Sequence, residues 1–394
     1  LVLPNRLNIL FVIDFFHDTG GTEKHLSSLV CDLCQKMFNV TVVVFDLGTN
    51  PLIEDMRHAG ASVIHLPLAR IYTPNAIIQA WHLFHLIKER QIDIVQAFHS
   101  KADTYGVIVA RMSGVRHILS SKRDTGELKS RSYVFLSRCI RSWLERVIVV
   151  SEGVGNAIVE RERISRDDIV KIYNGVDIEA FQPPAAAEMA CAKEALGFGN
   201  RDFVVGMVAN FRPEKNHEVL FAGVLEAKRK IPEIKLLLVG GGPLFEHYRT
   251  QYGHPASGVD TVFAGPSQRI QQYLHAMDVA CLIPGANEGF SNAILEKMAA
   301  GLPLVVSDIG GNAEAVINGR NGIVIPPNDQ GALARALVVM HADPAKRRAM
   351  GWDSRRLVEE QFSLHRMWHS YEELYHSLCE SSERSVKLDR TADC

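Results

Sequence analysis

The sequence predicts an α/β protein made of two doubly wound domains that face each other across a cleft. Three observations carry this expectation. Short β-branched runs alternate with helical patterns through the first half, which implies a parallel sheet covered on both faces. A turn at Asn174-Gly175-Val176-Asp177 and a Pro/Ala-rich stretch at 182–188 then interrupt the pattern, and a second alternating series follows. The 394 residues suit two domains of ordinary size.

In the first series, β-branched runs predict strands at 7–13, 40–45, 62–66, 93–97, 117–121 and 146–150. Apolar residues at helical spacing predict helices at 22–37, 75–90 and 101–112. The second series predicts strands at 203–209, 234–240, 259–264, 279–283, 304–307 and 322–325. Its helices fall at 217–230, 244–252, 270–275, 292–300 and 330–341, followed by long amphipathic stretches at 344–362 and 364–379. Residues 380–394 hold little apolar material and are expected to fray.

Hydrophobic residues make up 47% and charged residues 22%, enough for two cores. A net charge of −2 argues against a general nucleic-acid binder. No apolar run approaches the ~18 residues that span a bilayer, and no leader pattern is visible at the start. The seven cysteines are scattered, as in a reduced cytoplasmic protein. Cys31 and Cys34 form a C-x-x-C inside a helical pattern with no second ligand pair nearby, so helix packing is expected there and no metal.

The most informative stretch is NEGFSNAILEKMAAG at 287–301. Glu288 lies in the loop before a helix and Glu296 about one turn inside it. Ser291 or Asn292 is placed to cap that helix. A helix N-terminus seats an anion, and two carboxylates beside it suit hydroxyl groups, a pairing that fits a sugar nucleotide. The competing reading, a capped helix with solvated acids, loses ground because the loop follows one buried strand and precedes another.

Arg212 and Lys215 emerge at the end of the second half's first strand, before a helix that Asn216 would cap, and could clamp a diphosphate. The alternative is a solvated pair countered by Glu214 and Glu218. Gly20 and Gly21 open the first helix and allow close approach of a ligand, unless they serve only a tight turn. Gly242 lies in a strand-end GGGPL that is either turn or site, and Gly265 ends a strand where it could abut a base or ribose. His99 ends a first-half strand on the side of the expected cleft, although a lone His is more often a satisfied core or surface residue. Asp124 falls in a polar Ser-Lys-Arg-Asp segment after the next strand. Residues 122–146 hold seven cations against Asp124, Glu127 and Glu145. Interleaved with aromatic and aliphatic residues, they read either as a surface for anionic lipid or acceptor, or as an ordinary helix with its apolar face in the core.

These segments together resemble a known family. Gly20-Gly21, NFRPEKNH at 210–217, VGGGPL at 239–244, VFAGPS at 262–267 and EGFSNAILEKMAAGLPLVVSDIGGNAEAV at 288–316 look like the retaining glycosyltransferases of family 4, with its Glu-x7-Glu element. The resemblance implies a GT-B architecture of two Rossmann-like domains. Residues 1–180 would form the acceptor-binding domain, joined by a returning helix at 364–379, and residues 181–363 the donor domain. It implies that Arg212 and Lys215 hold the donor diphosphate, Glu288 lies near the transferred sugar and Glu296 bonds the ribose. Backbone groups at Phe290, Ser291 and Asn292 would meet sugar and phosphate, and Gly20 and Gly21 would close over the phosphates. No metal is implied, since fixed cations and helix dipoles replace it. Many members carry a His where this chain reads Ser-Lys-Arg-Asp, so either Asp124 takes over its sugar contact or His99 reaches in.

The resulting expectation is a cytoplasmic hexosyltransferase at the inner face of the membrane. It would use a nucleotide-diphosphate sugar, UDP-linked, and a glycan or lipid-linked acceptor in envelope or exopolysaccharide synthesis, with anionic-membrane contact through 128–146. A sugar-nucleotide epimerase of the same fold and a non-catalytic sugar-nucleotide-binding subunit are the competing readings. The Glu-x7-Glu context speaks against the first, and a non-catalytic site has no need of Arg212, Lys215, Glu288 and Glu296 together.

Overall fold

A computed structural model describes residues 6–17 and 20–392, without the side chains of 255 and 381–392. The chain divides into two units, Leu1–Tyr173 with His365–Cys394, and Asn174–Leu364.

The first unit holds strands β1 (Leu7–Phe16), β2 (Phe38–Leu47), β3 (Ser62–His65), β4 (Ile94–Phe98), β5 (His117–Lys122), β6 (Arg146–Val149) and β7 (Ile169–Lys171). They form one sheet in the order β3-β2-β1-β4-β5-β6-β7, and every pairing is parallel. β1 is apolar on both faces, with Ile9 to Ile13 fully buried, as a strand between two helix layers must be. The order reverses between β1 and β4, so right-handed crossovers send the helices of the two halves to opposite faces. Helices Pro74–Glu89, Val107–Met112, Arg131–Ile140 and Glu152–Glu162 pack side by side on one of them.

Helix Leu364–Ala392 returns to this unit because its apolar stripe needs a partner. Met367, Tyr371, Leu374, Tyr375 and Leu378 recur at helical spacing and are all buried. The Tyr375 hydroxyl donates to Gln96 Oε1 (2.6 Å), the Tyr371 hydroxyl lies 3.0 Å from His25 Nε2, and Trp368 Nε1 donates to Ser28 Oγ (3.0 Å).

A buried ionic cluster ties β5 to its helix layer. Lys122 turns back into the core, and its ammonium donates to Asp103 Oδ2 (3.0 Å), Glu162 Oε2 (2.9 Å) and the Tyr133 hydroxyl (2.7 Å). Asp103 sits on a π-helical turn, Ala102–Gly106, and also accepts from Ser120 Oγ (2.5 Å). The two carboxylates and Tyr133 hold the Lys122 ammonium charged well above its ordinary range despite burial. Against the opposing effect of its own burial, Lys122 and Ser137 hold the Glu162 carboxyl below its usual range.

The second unit holds β8 (Phe203–Val208), β9 (Ile234–Val239), β10 (Thr261–Gly265), β11 (Val279–Leu282), β12 (Leu304–Ser307) and β13 (Gly322–Ile325). They lie in the order β10-β9-β8-β11-β12-β13, again all parallel.

Three features differ from the sequence reading. The passage between units lies at 173/174 rather than 180/181. Asn174 Nδ2 donates to the Phe290 carbonyl (2.7 Å) and Val176 bridges to Ser363, so the turn belongs to the second unit. The Pro/Ala-rich stretch runs into helix Ala186–Ala195, where the Glu188 carboxylate accepts from Ala185 N (2.7 Å). The last helix continues to Ala392 through the stretch expected to fray, because each added residue gains a bond and Glu383, Arg384 and Lys387 favour helix; 393 and 394 lie outside the described residues. No helix of the described residues is long and apolar enough to cross a membrane.

Lys122→Met would strand the Asp103 and Glu162 carboxylates, and the expected cost is about 3–5 kcal/mol at neutral pH. Glu162, with its depressed value, contributes stability above its unfolded value of 4.5 and loses it as pH falls. The deficit of the variant should therefore shrink on acidification. Denaturant-dependent hydrogen exchange in β5 measures both effects; an equal deficit at pH 4 and pH 7 would contradict the account.

Candidate active site

In the second unit all six strands are parallel, so their C-terminal ends share one edge, and the strand order reverses between β8 and β11. The crevice at such a reversal is where open α/β sheets bind ligands. Two loops flank it, 209–216 after β8 and 283–291 after β11.

The loops are fastened to each other. Gly285 N donates to the Glu214 carbonyl (2.9 Å), and Lys215 Nζ lies 2.5 Å from Glu288 Oε2. Both side chains are largely shielded, which strengthens their attraction. Arg212 begins the short 3₁₀ turn Pro213–Lys215 and is exposed, with no side-chain partner among the described residues. Gly311 N donates to the Gly289 carbonyl (2.6 Å), and a Cβ at Gly310 would lie 2.1 Å from the Glu288 carbonyl, so glycine there lets the β12 loop hold Glu288 in place.

Ser291 is the N-cap of helix Asn292–Ala299, in an extended conformation, but its side chain makes no capping bond. The expected side-chain cap is absent, and the first-turn N–H groups keep their affinity for an anion. Asn216 likewise starts its helix without a side-chain cap, in a left-handed conformation (φ 60°), and its amide donates to Asn328 Oδ1 (2.8 Å). Phe290 is buried against Phe362, with ring centroids 5.4 Å apart, which leaves its backbone rather than its ring to meet a ligand. Glu296 is half-buried on the second turn of its helix.

Gly242, at φ 141°, is required by close packing, because a Cβ there would lie 2.8 Å from the Phe211 carbonyl. The β9 loop thereby supports the Arg212 loop, with Phe211 N donating to the Gly241 carbonyl (2.8 Å). Gly265 has φ 71° and open space around it, and its carbonyl accepts from Gly240 N (2.9 Å).

Sequence reasoning missed Lys297. It is fully buried and its ammonium reaches the carbonyl of Val208, the last residue of β8 (3.3 Å). Burial pulls its pKa down to about 8, against the nearby Glu296 and Glu288 carboxylates. Its signal was in the pattern: a lysine between Ile294, Leu295 and Met298 on the apolar face of a short helix.

In the first unit the predicted residues sit at the C-terminal ends of β1, β4 and β5. Gly20 precedes helix Gly21–Cys34, and a Cβ at Gly20 would lie 2.4 Å from Glu23 Oε2, so the helix's own buried carboxylate approaches the expected anion seat. The neighbouring Asp18 and Thr19 lie outside the described residues. His99, at φ 71°, stacks on Phe15 (4.6 Å between centroids), and its Nδ1 is shielded without a partner. Burial, then Arg123, pull its pKa down to about 4. Asp124 Oδ1 accepts from Gly126 N (2.8 Å) and lies 3.7 Å from Lys129 Nζ. Among the described residues no group of three His, Cys, Asp or Glu side chains could hold a metal ion.

The profile of Glycosyltransferase Family 4 matches residues 19–180 and that of Glycosyl transferases group 1 matches residues 202–343. The UDP-Gal:alpha-D-GlcNAc-diphosphoundecaprenol alpha-1,3-galactosyltransferase of Escherichia coli is 30% identical over 65% of this chain and 68% of that protein. The GDP-mannose-dependent alpha-(1-6)-phosphatidylinositol monomannoside mannosyltransferase of Mycolicibacterium smegmatis is 33% identical over 45% of this chain and 48% of that protein. The chain thus spans about half the length of two of the first three curated relatives it matches, 48% of each. HepE of Anabaena, solved in complex with UDP, superposes with a TM-score of 0.83 at 21% identity, covering 94% of this chain and 100% of that one. Its identity is low enough that this likeness concerns the fold. The chain belongs to the family 4 glycosyltransferases and has their two-domain, Rossmann-like GT-B fold.

Proposed function

We propose that this glycosyltransferase is a retaining, metal-independent hexosyltransferase that moves a sugar from a UDP-linked donor to a lipid-linked glycan in cell-envelope or exopolysaccharide synthesis. The observation that carries the reading is the Lys215–Glu288 pair at the reversal of strand order, with the unpaired guanidinium of Arg212 on the same loop. A diphosphate arriving there meets the Arg212 fork, the Lys215 ammonium and the uncapped N-terminus of helix Asn292–Ala299. These fixed positive groups stabilise the charge that grows on the leaving diphosphate, the work a metal would otherwise do. Binding draws Lys215 toward phosphate and frees Glu288 to face the sugar, while Glu296 takes the ribose hydroxyls. In the transfer the C1–O bond to the diphosphate breaks and the acceptor oxygen bonds to C1 on the same face. The acceptor hydroxyl proton leaves with the nucleoside diphosphate.

The choice of UDP is supported by the donor named for the Escherichia coli relative and by the UDP complex of HepE, and the lipid-diphosphate acceptor by the former. GDP is the second reading, because the mycobacterial relative is named for GDP-mannose. Exposed Leu128, Phe135 and Trp143 beside Arg131 and Arg141 support peripheral contact with an anionic membrane at the cytoplasmic face.

Calorimetry with UDP, GDP and ADP in EDTA tests the donor. UDP should bind best and undiminished by EDTA, and Arg212→Ala should weaken it by roughly 10- to 100-fold, the value of a charged hydrogen bond. Glu296→Ala should weaken UDP and UMP by a similar factor, since both carry the ribose. Tighter GDP binding transfers the reading to GDP, and dependence on a divalent ion rejects the metal-free mechanism.

Glu288→Gln should keep UDP affinity within about threefold while lowering kcat by roughly 100-fold or more, as loss of one transition-state contact does. Unchanged turnover would remove Glu288 from the chemistry.

With His99 held neutral down to about pH 4, kcat/KM should show no limb near 6.5 attributable to it. A limb at 6.5 that vanishes in His99→Asn would contradict this environment.

A further inference from the structure

The first unit carries a groove of about 720 Å³ between helices Arg131–Ile140 and Glu152–Glu162. Lys129, Arg131, Arg138 and Arg161 line it against only Glu127 and Glu160. Its arginines differ from those whose charge is met by an acid on the same helix. Arg57, Arg249 and Arg356 each pair with an acid three residues away on the same helix. Arg131, Arg138 and Arg161 have no ion pair among the described residues, although two carboxylates share their groove. Arg138 is held in place as Nε donates to the Arg161 carbonyl (2.9 Å), so its fork is oriented before any ligand arrives. Lys129 lies over the Tyr133 ring at 4.8 Å, with most of its stem covered.

A second observation is independent of these charges. Thr125 lines the same groove, is 8% exposed, and its Oγ1 is shielded with no hydrogen-bond partner. A buried hydroxyl without a partner is costly unless a ligand or water completes it. Thr125 follows Asp124 at the C-terminal end of β5, so the groove begins at the edge that carries the predicted first-unit site residues.

Apolar groups complete the pattern. Phe135 lines the groove and is 69% exposed, with Leu128 also exposed nearby in the chain. Guanidinium forks suit phosphate oxygens, and adjoining exposed apolar side chains suit a hydrocarbon chain. We propose that this groove binds the diphosphate head of a polyprenyl-linked acceptor, with Thr125 as hydrogen-bond donor and Phe135 against the first isoprene units. The proposal rests on the lipid-linked acceptor reading above and names the part of the acceptor that this chain grips.

The test is calorimetric titration of the full-length protein with farnesyl diphosphate, a soluble probe, in parallel with farnesol and inorganic pyrophosphate. Farnesyl diphosphate should bind tighter than either fragment. The Arg131→Gln/Arg138→Gln double variant should weaken it at least tenfold, and Thr125→Val about threefold, with UDP affinity unchanged in both. The proposal is overturned if the parent ignores farnesyl diphosphate at millimolar concentration, or if the double variant binds it like the parent. Pyrophosphate binding as tightly as farnesyl diphosphate also overturns it, since the lipid then contributes nothing. UDP titration separates the two readings: a parent that binds farnesyl diphosphate but no nucleotide loses the donor assignment and keeps the groove.

Discussion

A parallel pair of strands cannot be closed by a tight turn, so each step from strand to strand needs a crossover that returns the chain to the starting edge. Every pairing in both sheets is of this kind. One edge of each sheet therefore collects all the strand-to-helix loops, and the reversal of strand order leaves a crevice that no crossover covers. Arg212 and Lys215 follow the strand on one side of that reversal in the second unit, and Glu288 follows the strand on the other. Residues 73 positions apart thus meet at 2.5 Å because the topology has nowhere else to put them.

Buried charge is the second constraint, and the two units handle it differently. Lys122 is surrounded by two carboxylates and a phenol, so its desolvation is offset by direct bonds and it stays charged. Lys297 has a carbonyl at 3.3 Å, and its pKa falls to about 8. A lysine so placed is sensitive to the charge at the crevice above it: Glu288 and Glu296 favour its ammonium form and Lys215 opposes it. An anion arriving at Lys215 would strengthen the ammonium form further, which couples anion occupancy to the carbonyl end of β8.

Much of this was legible in the sequence. Twelve strands follow from β-branched runs, and the Glu288–Glu296 and Arg212–Lys215 segments follow from their position after such runs. β7 escaped because Ile169–Lys171 is three residues long and half-exposed, too short for any period. The passage between units was misread because proline and alanine mark a linker only statistically, while the side chain of Asn174 and the bridge from Val176 decide where the chain belongs. Lys122 and Lys297 were invisible for a common reason. A lysine is read as solvated unless its partners are known, and those of Lys122 lie 19 and 40 residues away. Ser291 looked like a capping residue by type, but capping depends on a rotamer that sequence does not specify.

The net charge of −2 describes the chain and conceals its distribution. Arg57, Arg249 and Arg356 are neutralised by acids one helical turn away, an arrangement worth little in stability but effective in removing local fields. Where that neutralisation fails, the exposed arginine is either tolerated by solvent or reserved for an anion. The two readings differ in what surrounds the cation. Arg212 shares its sheet edge with an uncapped helix N-terminus, and Arg131, Arg138 and Arg161 share a groove with a buried hydroxyl without a partner. Solvent alone requires neither companion, whereas phosphate oxygens make use of both.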